Sequence, residues 1–165
     1  MLLIVIDLLC TAALIWADRA IKAWAVAELL PVGSMPFIPH ILELRFVVNE
    51  GMAFSLLSGK QTFLIVCTGA MLLWVSYMLF FKAHNRLERA ALVLILSGGI
   101  GNLIDRVSTG RVVDYINVLF MRFAVFNFAD ICVCVGVGLW ILYMFLDELH
   151  PSAAAESEKK ADGTD

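Results

Sequence analysis

The chain has 165 residues, of which 61% are hydrophobic and only 16% charged, and its mean hydropathy is +0.88, a balance that excludes an ordinary soluble domain. Net charge is −3, and six of the acids and bases fall in the last ten positions, so there is no basic surface to attract nucleic acid and no such partner is expected. A membrane domain of about four spans fits this length, because a helix rises about 1.5 Å per residue and must cross roughly 30 Å of hydrocarbon.

Apolar segments run at about 2–27, 63–81, 89–105 and 128–146, and each predicts a membrane helix. The first looks in part like an export signal, with Leu2 to Ala17 apolar and Ala25-Val26-Ala27 resembling a cleavage site. It has no basic residues ahead of its apolar run and carries Asp18, Arg19 and Lys22, which a discarded signal has no use for, so a retained span is expected. Asp18 and Lys22 are spaced to pair on one helix face, either as a structural ion pair or as a pair that shapes a site. Asp7 reads as an interface residue.

Residues 28–61 contain Pro31, Gly33, Pro36 and Pro39 and cannot form a continuous helix. Within them, Leu42-Glu43-Leu44-Arg45-Phe46 alternates apolar and charged residues, the pattern of a half-buried strand. Val112 to Val118 is a second β-branched stretch. Both are expected on one side of the membrane as a small sheet outside the hydrocarbon, since open strands in lipid leave backbone groups unpaired.

The second span, Phe63 to Phe81, has no charge. Lys82, Arg86 and Arg89 crowd the short loop that follows; with Lys159 and Lys160 they only balance Arg45, Lys60, Arg106, Arg111 and Arg122 on the other side, five each. The count therefore does not decide the orientation, and the density of this loop alone leans toward the cytoplasmic side for it and both termini. The third span holds Gly98-Gly99-Ile100-Gly101-Asn102-Leu103-Ile104-Asp105-Arg106, with Gly98, Asn102 and Arg106 on one face. Glycine-mediated helix packing explains Gly98 and Gly101 but leaves Asn102 and Arg106 without a purpose. The final 15 or so residues are small and charged and read as a disordered tail.

Cys10, Cys67, Cys132 and Cys134 lie in apolar stretches without ligand-like spacing, and read as packing residues rather than metal ligands or disulfide partners. No serine or cysteine nucleophile has a histidine beside it. Two acids remain. Asp114 sits in Val112-Val113-Asp114-Tyr115, a strand context that an isolated acid does not suit. Asp130 ends Phe126-Asn127-Phe128-Ala129-Asp130, where Asn127 is a good N-cap and the acid falls three residues later, so helix capping alone would account for it. Both acids fall on the same side of the membrane, near the ends of spans three and four. Two carboxylates held close share a proton, and such a pair can activate water while protonating a carbonyl.

These motifs taken together resemble lipoprotein signal peptidase (signal peptidase II) over nearly the whole chain. The resemblance rests on Asp18 with Lys22, Asn49-Glu50-Gly51-Met52-Ala53-Phe54-Ser55, residues 98–106, residues 112–115 and residues 126–130, in that order. It implies a mainly α-helical membrane fold: four transmembrane helices with both ends cytoplasmic, and a small β-cradle facing the periplasm, at about 40–58 and 111–120. The peptidase domain would then cover 1–149, and 150–165 would be a cytoplasmic tail. Asp114 and Asp130 fall on the family's catalytic pair, and Asn49, Gly51, Asn102, Arg106 and Asn127 on its site-lining positions, with Asp18 and Lys22 on its first-helix polar pair. The implied activity is aspartic endopeptidase cleavage of prolipoproteins just before the diacylglyceryl-modified cysteine. That activity needs no metal or organic cofactor, is expected of a monomer in the inner membrane, and is open to globomycin-like inhibitors lying across the aspartates. Two rival readings remain. A proton-coupled transporter would spread its polar groups through the bilayer depth, and a structural membrane subunit would account for the glycines but not for the acids.

Overall fold

The computed structural model describes residues 2–51 and 59–149; Met52 to Ser55 of the site motif, and the tail, lie outside the described residues. Helix α1 (Leu2–Trp24) runs through a π-helical turn (Ala25–Leu29) into the single turn α2 (Leu30–Val32). Pro31 stands in that turn's first positions, and Gly33 closes it at φ +80°, a backbone angle that glycine takes without steric cost.

The chain then forms β1 (Ser34–Ile38) and β2 (Leu42–Asn49), and after residue 59 the helix α3 (Gln61–Tyr77) with its own π-turn (Met78–Lys82). Helix α4 (Arg86–Thr109), strand β3 (Val112–Val118) and helix α5 (Phe128–Leu149) follow. The sheet is antiparallel with order β1-β2-β3. Strand β2 lies where the sequence alternates and β3 where it is rich in β-branched residues; β1 is not legible there, because its proline suits only an edge.

Three helices, Gln61–Lys82, Arg86–Thr109 and Phe128–Leu149, are long and apolar enough to cross a membrane. Their burial is that of a bundle immersed in lipid: Leu73, Phe81, Ile141 and Phe145 are exposed, where a soluble protein would hide them. Helix α4 is the central element, packing on α1, α3 and α5. Gly98 and Gly136 bring α4 and α5 together. A Cβ at Gly98 would collide with the Ala129 carbonyl, and one at Gly136 would lie 2.8 Å from the Ala91 carbonyl.

Helix α1 is built the other way round from a soluble helix. Its buried residues are Asp7, Thr11, Asp18 and Lys22, while Leu2, Leu9 and Trp16 face outward. One expectation is corrected here, and another gains a partner. Asp7 is buried and ion-paired with Arg89. Arg89 is not a loop charge, because α4 begins at Arg86, capped by Asn85, whose side chain accepts from the Glu88 N–H at 2.8 Å. Arg89 also reaches the Leu79 and Ala83 carbonyls, oxygens around the π-turn that lie outside the regular helical pattern.

Candidate active site

The middle of β3 lies beside the segment that leads into α5, where the Tyr115 and Ile116 N–H groups donate to the Phe126 carbonyl, and this brings the two acids to one place. Asp114 pairs across the sheet with Val47, and Asn49 pairs with Val112. Asn49 and Asp114 are thus diagonal neighbours on one sheet face, and Asn49 Nδ2 donates to Asp114 Oδ2 at 2.9 Å. Asn127 Nδ2 donates to Asp114 Oδ1 at 2.6 Å. Both oxygens of an acid only 2% exposed are therefore held by amides.

Asp130 takes part in a reciprocal cap at the start of α5. Asn127 Oδ1 accepts from the Asp130 N–H at 3.0 Å, and Asp130 Oδ2 accepts from the Asn127 N–H at 3.1 Å. This is the capping-box geometry, with an acid at the third helical position. The other oxygen remains available, and Asp130 Oδ1 accepts from Asn102 Nδ2 at 2.7 Å. The helix-cap reading and the site reading are thus both satisfied by one side chain. The Tyr115 hydroxyl accepts from the Phe128 N–H at 3.1 Å, fixing strand to helix one residue beyond Asp114.

Asn102 and Asn127 join the acids. Asn127 Nδ2 also donates to Asn102 Oδ1 at 3.2 Å. Below them, Lys22 Nζ lies 3.0 Å from Asp18 Oδ2 and 2.8 Å from Asp105 Oδ2, and donates to Asn102 Oδ1 at 2.9 Å. Arg19 pairs with Asp105 and reaches the Gly101 carbonyl. Arg106, one turn beyond Asn102, donates to the Gly51 carbonyl at 3.1 Å and to the Asn102 carbonyl at 3.4 Å; it ties the end of α4 to the segment after β2. Every site residue read from the sequence belongs to this one assembly. Asp105 and Arg19 were not read as part of it, although their charges within or beside spans were the available signal.

Burial is the main force on Asp114, pushing its carboxyl from the ordinary 3.8 up to about 6. The Asn49 hydrogen bond opposes this, the neighbouring Asp130 adds to it, and Asn127 and Lys22 oppose it. Burial likewise raises the Tyr115 phenol, which keeps it neutral. Among the described residues no three histidine, cysteine, aspartate or glutamate side chains are grouped to hold a metal ion.

A cavity of about 560 Å³ opens at the acids. Asn49, Asn102, Arg106, Asp114 and Asp130 form its polar end, and Leu64, Thr68, Met71, Ile95, Ile131 and Val135 wall the rest between α3, α4 and α5. Such a space holds an apolar chain along its length and a polar group at one end. A carboxylate pair lining an apolar cavity among helices long enough to cross a membrane is the arrangement of a membrane protein with a polar site.

Comparison with known proteins makes this specific. The family model for signal peptidase (SPase) II matches residues 10–146, and the chain belongs to that family. Lipoprotein signal peptidase of Streptococcus pyogenes serotype M2 (strain MGAS10270) is 40% identical over 147 residues, which span 88% of this chain and 95% of the relative. That of serotype M5 (strain Manfredo) is 39% identical over the same lengths. A bacterial membrane enzyme solved by the in meso method at 2.3 Å superposes with a TM-score of 0.82 at 32% identity, covering 89% of this chain and 92% of the other. A second, solved at 1.9 Å, gives 0.75 at 34% identity, covering 84% and 91%.

Proposed function

We propose that this protein is an aspartic endopeptidase that removes the signal peptide from prolipoproteins, cutting just before the diacylglyceryl-modified cysteine. Membership of the signal peptidase II family supports peptidase activity on prolipoproteins. The observation that carries the catalytic type is that Asp114 and Asp130 line the polar end of one cavity, tied through Asn127 and Asn102.

In this reading the acyl chains and signal helix occupy the apolar cavity, and the scissile bond lies across the acids. Asp130, accepting two hydrogen bonds in the first turn of α5, serves as the carboxylate and takes a proton from water. Asp114, buried in the strand, holds the pair's proton and gives it to the carbonyl oxygen as water attacks. Collapse of the tetrahedral intermediate breaks the C–N bond; the oxygen's proton returns to Asp114, and the proton held by Asp130 passes to the leaving amine. Asn49, Gly51, Asn102, Arg106 and Asn127 shape the site, and Asp18 with Lys22 supports it from below.

We infer four spans, with α1 as the fourth, because a helix that buries only polar residues and exposes apolar ones is stable in lipid and not in water. Both termini are then cytoplasmic, the sheet and site face the periplasm from the inner membrane, and residues 1–149 form the peptidase domain with 150–165 as a cytoplasmic tail. The protein acts as a monomer, and globomycin-like peptides bind across the aspartates.

The test is cleavage of a diacylglyceryl-modified prolipoprotein by the purified protein in detergent, beside the unmodified precursor and D114N and D130N. Cleavage of the lipidated form alone, lost in both variants and blocked by a globomycin-like peptide, is the expected result. Activity surviving in either variant would refute the dyad.

A further inference from the structure

We infer that Lys22 is a positioning residue for hydrolysis: its ammonium sets the orientation of the Asn102 amide so that the amide's NH2 group, and not its oxygen, faces Asp130. The inference rests on the reading of Asp130 as the carboxylate of the pair. An asparagine amide has nearly the same shape with its oxygen and nitrogen exchanged, so packing alone does not choose between the two; the donors and acceptors around it do. Lys22 has donors only, and its nitrogen stands 2.9 Å from Asn102 Oδ1. That contact places Asn102 Nδ2 toward Asp130 Oδ1 at 2.7 Å.

Asn127 supports the same orientation, but through a longer bond of 3.2 Å from an NH2 group that also serves Asp114. Asn127 is itself fixed, because its oxygen accepts a backbone N–H. Lys22 is thus the charged and nearer of the two groups that orient Asn102. Its own place is built in: it is 1% exposed, with Asp18 and Asp105 on its other sides. A Cβ at Gly101 would lie 2.6 Å from Asp18 Oδ2, so that glycine makes the room Asp18 needs.

With the amide turned about, its oxygen would face Asp130 Oδ1, and two lone-pair-bearing oxygens tolerate that contact only when the acid is protonated. The dyad would then enter its working state at higher pH. The charged and titratable groups that act on Asp130 are Asp114 and Tyr115 from β3 and Arg106 from α4, and those packed around Lys22, beneath Asn102, are Asp18 and Arg19 from α1 and Asp105 from α4. A test must therefore remove the Lys22 donor without leaving a net charge behind. K22M/D18N does so, retaining the Asp105 pair with Arg19.

The measurement is the pH profile of kcat and KM for the lipidated prolipoprotein, with Tm in detergent as the check on folding. The expected result is an unchanged KM and an acid limb of kcat moved up by about one pH unit, with kcat below that limb down roughly tenfold. A wild-type pH profile in the folded variant would overturn the proposal, as would a change confined to KM; either would mean that Lys22 only neutralises Asp18 and Asp105 or helps bind substrate. If K22M/D18N does not fold, K22L/D18N is read in its place, and failure of both would make Lys22 a folding residue and equally overturn it. Wild-type and D114N run alongside: loss of activity in D114N with a wild-type profile in K22M/D18N refutes the role of Lys22 alone, whereas activity in D114N refutes the dyad.

Discussion

Replacing Asp114 with asparagine should abolish turnover and at the same time change how stability depends on pH. Burial raises this carboxyl from 3.8 to about 6. An acid whose pKa is higher in the folded state than in the unfolded state favours folding fully below pH 3.8, and that contribution is lost as pH rises through 6. Above pH 6 the ionised group therefore costs the fold about 3 kcal/mol relative to a neutral one, and at pH 5 about half of that. Asparagine removes this cost but turns an NH2 group toward either Asn49 or Asn127, both donors to Asp114. The mismatch costs about 1–3 kcal/mol at every pH. The stability of D114N relative to wild type should accordingly improve by about 1–2 kcal/mol between pH 5 and pH 8. Thermal unfolding in detergent at the two pH values would show this as a relative gain in Tm of about 3–6 °C. A Tm difference that is the same at both pH values would refute the claim that Asp114 is buried in its protonated form.

Further predictions concern the frame around the site. Breaking the buried pair between Asp7 and Arg89 by R89M alone should destabilise the protein by about 3–5 kcal/mol, while D7L/R89M should come within about 1 kcal/mol of wild type; unfolding in detergent reads both. G98A inserts a methyl against the Ala129 carbonyl and should cost about 1–3 kcal/mol. It should also lower kcat, because separating α4 from α5 stretches the Asn102 bond to Asp130. T68W fills the apolar part of the cavity and should raise KM for the lipidated substrate roughly tenfold, about 1.4 kcal/mol, with Tm unchanged.

The sequence by itself determined the membrane setting, the apolar segments and two of the three strands, and it named most of the polar residues that the fold gathers around Asp114 and Asp130, with Arg19 and Asp105 left out. It could do so because a charge or an amide in an apolar segment is expensive enough to need a reason, and Asp18, Lys22 and Asn102 stand out on that ground. Ambiguity entered wherever a residue had a sufficient local explanation. Asp130 fits a helix cap as well as a catalytic acid, and only the tertiary structure shows that one of its oxygens serves the cap and the other meets Asn102. The pairing of Asp7 with Arg89 is hidden for the same reason: 82 residues apart, each has a sufficient place at a span end until α1 and α4 pack together. What the fold alone decided is therefore the pairing. Periodicity fixes which face of a helix is polar, but the partner of a buried charge depends on distances between elements far apart in the chain, and those exist only once the helices have met.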